Sequence, residues 1–347
     1  MLIKSMMYMQ RIYFLIVAIM AISPLIAQNH VFNQYHQEEA LKKRVQKNDI
    51  DAMNQLGLLY LTDVFHKEKQ AVELFSKASA KGHQNATYNL GACYFQGKGI
   101  DLDYGKALEL FRQIADTDIF AQTIIGMCYL YGHGVEKDYD KAVSWLKKGS
   151  EGNKTNANLH LAYAYSKGLG VEKDESKALK LYSPFAEKGN LSAQYQMALI
   201  YYKGETVSRN CQQALYWFGK VANRYYDALT IMGEIYEKGE CMPVNLAKAK
   251  DYYQQASDCG VPLAECRLGS LLYNEKNYEE AFIYFTQAAE DKKEPVAEAM
   301  RKLAACYRYG LGTTIDLEKE KYWMDQAANH NDYKAIDVLN EKITMNE

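Results

Sequence analysis

Two side chains of this 347-residue chain have the spacing of a catalytic pair, Ser144 and Lys147. They fit the S-x-x-K pattern of serine hydrolases that recognise penicillins. The accompanying KTG and SDN motifs do not occur in the chain. Trp145, between the two, has the position of a core residue in a repeated pattern, and Lys147 belongs to a lysine-rich surface face. We therefore expect no catalytic residues here.

The histidines, which are common catalytic and metal-binding side chains, are scattered along the chain. None has metal-ligand spacing with a cysteine or another histidine, so the sequence predicts no metal site. His133 lies between two glycines in a predicted bend, where we expect a solvated side chain. The GHG and GLG segments lack the preceding strand and the following GK[ST] of a phosphate-binding loop, so we expect no cofactor. The formal net charge of −2 gives no electrostatic reason to expect nucleic-acid binding.

The elements that position these side chains are internal repeats. One pattern recurs: alanine, an apolar residue four later, glycine or alanine five later and tyrosine eight later, as in Ala86, Leu90, Gly91 and Tyr94. In one copy the tyrosine comes one residue late, at Tyr273. A pattern that recurs at a regular spacing along the chain indicates a stack of small repeated units. The repeats start at Ala52, Ala86, Ala121, Ala157, Ala193, Ala228, Ala264 and Ala299, with a partial ninth at Ala335.

Each repeat is predicted to form two helices joined by a glycine-rich bend. We name the helix with the repeated alanine and tyrosine helix A and the following one helix B. Glycine adopts positive φ at little cost, so GKG, GHG and GLG mark the bend. Asp138 and Asp174 have the position of helix B N-caps. An aromatic residue three after the helix B alanine, such as Trp145 after Ala142, is expected to fill the space beside the small residue of helix A.

The segment "GMCYLYGHGVEKDYDKAVSWLKKGSEG" and its copies resemble the Sel-one-like repeat family, relatives of the tetratricopeptide repeats. The resemblance covers residues 51–330 and implies an all-α, right-handed α/α superhelix (solenoid) of about eight helix-turn-helix repeats. It also implies a role in protein–protein contact, scaffolding or quality control, and we expect this role to be non-enzymatic. Pro184 falls inside the predicted helix B of repeat four, where it should kink or break that helix.

The segments before and after the repeats differ from the repeats in composition. Residues 1–27 combine two basic residues, the apolar run "IYFLIVAIMAI" and a small residue, Ala27, which predicts a cleaved secretory signal and a periplasmic or extracellular protein. The run is short for a membrane span of about 20 residues, and an uncleaved membrane anchor is the alternative. Residues 28–50 and 331–347 are predicted to be capping helices, because both segments are polar and helical in composition.

All seven cysteines follow the predicted leader. Cys93, Cys128 and Cys306 occupy one repeat position that is apolar in the other repeats, so we expect buried side chains.

The other four cysteines break their repeat positions. Cys211 opens helix B of repeat five and Cys241 lies in the bend of repeat six, two edges that stacking should bring together. A disulfide between them is one hypothesis, and a second joins Cys259 to Cys266 across a turn. Both would suit an exported protein. The alternative is four free thiols in a reducing cell.

In related repeats helix A lines the concave side, so residues two, six and nine after the repeat alanine should face inward. In repeats two to five they include several apolar and aromatic side chains, whereas repeats six to eight are more polar. We expect a partner protein or peptide to bind there, unless these side chains pack against the next hairpin. The alternative functions are a cell-envelope enzyme or receptor of the cysteine-rich penicillin-hydrolase-like type, and a structural spacer. The predicted binding residues are Tyr88, Phe95, Met127, Leu130, Leu159, Tyr163, Tyr195, Leu199 and Tyr202.

Overall fold

The computed structural model describes residues 33–151 and 155–344, in which all regular secondary structure is helical. The predicted leader lies outside these residues. The chain divides into two compact units, with unit 1 ending at Glu172 and unit 2 beginning at Lys173. Unit 1 contains α1 (33–46), α2 (Ile50–Tyr60), α3 (Glu68–Ser79), α4 (Gln84–Gln96), α5 (Tyr104–Ile114), α6 (Ile119–Tyr131), α7 (Tyr139–Gly149) and α8 (Ala157–Lys167).

Unit 2 continues the same alternation of short helices. It contains α9 (Glu175–Glu187), α10 (Leu191–Lys203), α11 (Cys211–Val221), α12 (Asp227–Lys238), α13 (Leu246–Asp258), α14 (Pro262–Asn274), α15 (Tyr278–Glu290), α16 (Ala297–Tyr309), α17 (Leu317–Asn329) and α18 (Tyr333–Thr344). Within each unit, from α2 onward, every helix packs against the next one in the chain. This stacking confirms the predicted all-α solenoid.

Helix B begins at a polar cap in most repeats. Asp138 Oδ1 accepts a hydrogen bond from the backbone N–H of Lys141 at 3.0 Å, and Asp174 does the same for Lys177 at 2.8 Å. Both residues are thus the predicted N-caps. Each cap satisfies one of the amides that has no partner inside its helix, which typically contributes about 1 kcal/mol to helix stability.

The core lies between the small residue of helix A and a large residue of helix B. A Cβ added to Gly126 of α6 would lie 2.7 Å from Cγ of Leu146 on α7, so only glycine allows this approach. The fully buried position is four residues after the helix B alanine, as at Leu146, whereas Trp145, three after Ala142, is half-buried. The structure therefore corrects the expectation that the aromatic residue three after the alanine fills this space. Four residues return a side chain to within about 40° of the alanine, and three leave it about 60° away.

The bends also set the spacing between repeats. In several repeats the third bend residue lies against the first residue of helix B in the preceding repeat. A Cβ added to Gly134 would lie 2.6 Å from the carbonyl carbon of Tyr104, and the φ of Gly134 is +71°. Glycine is required there by both conformation and space. The equivalent contacts are Gly99 with Glu68, Gly170 with Tyr139, Thr206 with Glu175, Cys241 with Cys211, and Gly312 with Tyr278.

Pro184 does not break its helix, since α9 continues from Glu175 to Glu187, so the expected break is wrong and a kink stays a prediction. The proline and Lys180, whose carbonyl loses its usual amide partner, are both exposed, so water can satisfy that carbonyl.

The helix α1 covers the first hairpin of unit 1. Leu41 is 4% exposed and belongs to the core cluster that includes α2 and α3. The buried Glu38 accepts hydrogen bonds from the Tyr60 hydroxyl at 3.0 Å and from Lys67 Nζ at 2.8 Å. The capping roles of residues 28–50 and 331–347 remain predictions, since both ranges extend beyond the described residues.

Candidate functional site

The nine predicted binding residues lie on α4, α6, α8 and α10, the A helices of repeats two to five. Eight of them are half-buried. Leu130 is only 2% exposed, which corrects its assignment as a binding residue, because an enclosed side chain contributes packing and cannot reach a partner.

The aromatic residues of this set pack partly within their own repeats. In unit 1, the Tyr88 ring lies 5.5 Å from Phe111, between ring centroids. In unit 2, Tyr195 and Tyr202 lie 5.8 and 6.4 Å from Phe218. These contacts explain why the rings are half-buried, and Tyr195 also stacks on Tyr225 at 5.0 Å between ring centroids.

A cavity of about 230 Å³ opens on the helix A surface of unit 1. Its apolar lining comes from Leu58 on α2, Tyr88 on α4 and Phe120 on α6. Leu58 is 46% and Phe120 47% exposed, although both are large and apolar. The polar lining consists of Asn54, Asn85, Asn89 and Asp118. We call these seven residues the unit 1 pocket.

The carboxamides of the unit 1 pocket are arranged by an inter-repeat hydrogen bond. Asn89 Nδ2 donates to Asn54 Oδ1 at 2.8 Å, and Asn54 is 7% exposed. The bond fixes the direction of the Asn89 side chain. Carboxamides in this arrangement can hydrogen-bond both the N–H and the C=O of a peptide backbone.

Of the residues that line the unit 1 pocket, only Tyr88 is among the predicted binding residues, although the repeat pattern contains a signal for others. Asn54 and Leu58 lie two and six residues after Ala52, which are the inward positions already used for repeats two to five. Applying the same register to repeat one identifies both residues. Phe120 precedes the repeat alanine, and only the packing of α6 beside α4 reveals it.

A second aromatic group in unit 1 surrounds two histidines. The His133 ring stacks on Tyr104 at 4.7 Å, and Phe95 meets it edge-on at 5.9 Å. Tyr131 approaches His133 at 5.9 Å, and its hydroxyl forms a 3.0 Å hydrogen bond with His160 Nδ1. Burial lowers the pKa of His160 to about 4, so its imidazole is neutral at physiological pH. The sequence prediction of a solvated His133 is corrected to a stacked, half-buried ring.

The helix A surface of unit 2 is a ladder of polar contacts between repeats. Glu234 on α12 accepts a hydrogen bond from the Tyr202 hydroxyl at 3.2 Å and lies 3.7 Å from Arg267 on α14. Arg267 also pairs with Glu298 on α16 at 3.3 Å, and Lys302 donates to the Ser270 hydroxyl at 2.6 Å. Arg301 pairs with Asp332 at 3.0 Å in the same way. Three of the polar side chains predicted to face inward here, Glu234, Ser270 and Arg301, are therefore bonded to residues outside the predicted set.

The structure contains a disulfide between Cys211 and Cys241, with Cα atoms 6.1 Å apart, a normal separation for a bridge. It joins α11 to the bend that follows α12. These two positions also touch in other repeats, so the bridge links neighbouring repeats at an existing contact.

The second predicted bridge is not formed, because Cys259 and Cys266 are both free. Cys259 follows α13 and is exposed, whereas Cys266 lies inside α14 with its side chain fully buried in the core. Burial raises the pKa of Cys266 to about 12, so it remains a thiol. Cys93, Cys128 and Cys306 are buried as predicted.

Ser144 and Lys147 both lie on α7 with exposed side chains. In residues 33–151 and 155–344, no group of three or more His, Cys, Asp or Glu side chains could hold a metal ion. Across the same residues, no helix has the length and apolar character that a bilayer span requires.

The solved structures include close matches to this fold. The structure of c5321, a protective antigen of uropathogenic Escherichia coli with an SLR fold, has a TM-score of 0.71 and 27% sequence identity. The match covers 83% of this chain and 63% of that protein, so this chain spans less than two thirds of its length. A Sel1 repeat protein from Oxalobacter formigenes has a TM-score of 0.64 and 24% identity, covering 90% of this chain and 92% of that one.

The family comparison agrees with the helix pairs of the structure. The Sel1 repeat matches eight consecutive segments, which together cover most of the chain and each contain one A and one B helix. The matched segments are residues 50–83, 84–116, 119–154, 155–190, 191–225, 227–261, 262–292 and 297–332. The chain therefore belongs to the Sel1 repeat family.

Proposed function

We propose that this protein is an exported, non-enzymatic scaffold that binds an extended segment of a partner protein on the helix A surface of unit 1. Sel1 repeat proteins generally mediate protein–protein interactions. The observation that carries the proposal is the unit 1 pocket, in which the exposed Leu58 and Phe120 flank carboxamides suited to a peptide backbone. A partner that covers these side chains removes apolar surface from water.

Three observations support export. The first 27 residues read as a secretory signal, and the Cys211–Cys241 disulfide suits an oxidising compartment. The exposed Cys241 is bonded, whereas four of the five free cysteines are buried. Fractionation of the native source with N-terminal sequencing tests this part: a start at Gln28 in the exported fraction supports it, and an intact N-terminus in a cytosolic fraction contradicts it.

Photocrosslinking tests the binding surface directly. A photoreactive phenylalanine analogue replaces Leu58 in the unit 1 pocket, and a matched variant carries it at Tyr322, which is 54% exposed on α17. We expect one defined protein adduct from position 58 and none from position 322. Adding Phe120→Glu to the first variant should abolish the adduct, since a charge replaces an apolar contact. No adduct at position 58, or the same adducts from both positions, contradicts the proposed surface.

The proposed surface includes the predicted helix A residues of unit 1 except the buried Leu130, and a wider surface would add Tyr195, Leu199 and Tyr202 of unit 2. Tyr163 and Tyr202 test the wider surface, because both are half-buried and lie outside the unit 1 pocket. If Tyr163→Glu reduces partner recovery but Tyr202→Glu does not, binding is confined to unit 1.

A further inference from the structure

The unit 1 pocket contains one charged side chain among its described lining residues, Asp118. Its Oδ1 caps α6 by accepting a 2.8 Å hydrogen bond from the Ala121 N–H, which leaves Oδ2 for another donor. Unlike the N-cap Asp103, which pairs with Lys106, it forms no ion pair with a lysine or arginine of the described residues. The partial positive charge of the helix N-terminus, roughly half an elementary charge, offsets part of the carboxylate, and a net negative charge remains.

The negative field of Asp118 reaches the aromatic wall of the pocket. Burial raises the pKa of Tyr88, and the Asp118 carboxylate raises it further. Tyr88 and Phe120 stand nearly perpendicular, with ring centroids 6.3 Å apart. Electron-rich ring faces next to a carboxylate attract a cation, and a cation within about 6 Å of a ring centroid gains further stabilisation.

The carboxamides also favour a group rich in hydrogen-bond donors. The hydrogen bond from Asn89 to Asn54 uses one Asn89 amide hydrogen and leaves Asn89 Oδ1 as an acceptor. Asn85 contributes a further carboxamide to the lining. An apolar ligand would bury these acceptors and Asp118 without partners, and an anionic ligand would meet the carboxylate.

We propose, on the basis of the scaffold function above, that the unit 1 pocket receives an arginine or lysine side chain from the bound segment of the partner protein. The aliphatic stem lies against Leu58 and Phe120, and the cationic head reaches Asp118 and the carboxamide oxygens. A cavity of about 230 Å³ has room for one long side chain. Arginine fits best, because its planar guanidinium stacks on a ring while donating several hydrogen bonds.

The experiment uses a displayed library of random heptapeptides, selected on the wild-type chain and on Asp118→Asn. Asparagine is as good an N-cap as aspartate, so this variant removes the charge and keeps the start of α6. Asp138→Asn is the matched control: it removes the carboxylate of an equivalent N-cap on α7, outside the pocket. We expect arginine or lysine at one dominant position in peptides selected on wild type and on Asp138→Asn, and no such enrichment on Asp118→Asn.

A selected peptide then gives the size of the interaction. Its affinity for Asp118→Asn should be about fivefold lower than for wild type, which corresponds to about 1 kcal/mol for one partly exposed ion pair. Replacing its basic residue with glutamine should weaken binding to wild type by a similar factor and leave binding to Asp118→Asn nearly unchanged.

The proposal is overturned if the selected peptides lack a dominant basic residue, if no peptide is selected, or if Asp118→Asn and Asp138→Asn bind alike. None of these results contradicts the scaffold function as long as the Leu58 crosslink to a partner is obtained. Loss of that crosslink contradicts the scaffold function itself, so the two failures are distinguishable.

Discussion

The helix A surfaces of units 1 and 2 have the same repeat register but use it differently. Leu58 in unit 1 and Glu234 in unit 2 both lie six residues after their repeat alanines. Leu58 is 46% exposed beside the unit 1 pocket, whereas Glu234 bonds to side chains of the preceding and following repeats. The same repeat position can therefore hold either a side chain that is available to a partner or one that bonds to neighbouring repeats.

This difference separates binding from stability. Substitutions in the polar ladder or the disulfide of unit 2 should cost stability and leave partner binding intact. Substitutions at exposed residues of the unit 1 pocket should have the opposite effect. In a repeat protein, each repeat depends mainly on its neighbours, so such effects should remain local.

The largest effect is expected at the covalent link of unit 2. Replacing both Cys211 and Cys241 with alanine should lower the free energy of unfolding of the surrounding repeats by about 3 kcal/mol, since the 30-residue separation limits the unfolded chain. Hydrogen exchange of α11 and α12 amides measures this loss. A reductant should produce the same loss of stability in wild type and no further loss in the double variant. Unchanged protection in the variant would show that the bridge is not stabilising.

The next largest effect concerns pH and unit 1. His160 has a pKa of about 4 in the fold against 6.5 ordinarily, so the unfolded chain takes up its proton first as pH falls. Its contribution to stability is complete above pH 6.5 and is lost as pH falls toward 4. Between pH 7 and pH 4.5 we expect a loss of about 2 kcal/mol from this residue.

The variant His160→Gln isolates that loss from the titration of carboxylates. Urea unfolding at several pH values should show the difference between wild type and variant shrinking toward low pH. Parallel stability curves would mean that His160 titrates normally in the folded protein.

A smaller effect is expected in the polar ladder of unit 2. Arg267→Met keeps the aliphatic stem but removes the contacts to Glu234 and Glu298, so stability should fall by about 1 kcal/mol, a modest loss because all three side chains are partly exposed. Urea unfolding measures the loss, and the Leu58 crosslink should be unchanged. A lost crosslink would show that the ladder, too, takes part in binding.

The smallest effect on stability should come from an exposed residue of the proposed binding surface. Phe120→Ala in the unit 1 pocket should change the free energy of unfolding by less than about 0.5 kcal/mol, because the ring is 47% exposed. Partner recovery in a pull-down should nevertheless fall severalfold. Tyr322→Ala on α17 is the control, and equal recovery by the two variants would remove the distinction between the two surfaces.

Much of the fold could be predicted from local pattern. The repeat register correctly identified the helix pairs, the N-caps at Asp138 and Asp174, and the buried cysteines, because spacing along one helix determines which side chains share a face. The register also brought Cys211 and Cys241 to adjacent edges. The repeat register did not show whether Trp145 or Leu146 fills the space beside helix A. Both lie near the face of α7 that contacts α6, and only the packing of α6 on α7 selects between them.

The candidate site was predictable only in part. The helix A positions were correctly placed on the A helices, but exposure at each position depends on neighbours that the repeat pattern does not specify. Leu130 is enclosed, while Phe120, outside the pattern, completes a cavity with residues from two other helices.

The sequence by itself determined the repeated helix pair, its bends and its small core positions, because these depend on interactions within about 36 residues that recur along the chain. Only the tertiary structure decided which polar groups are satisfied by the next repeat and which remain for a partner. Hydrogen bonds such as Asn89 to Asn54 and ion pairs such as Arg267 with Glu298 form between side chains of different repeats. Their geometry depends on how closely the hairpins stack.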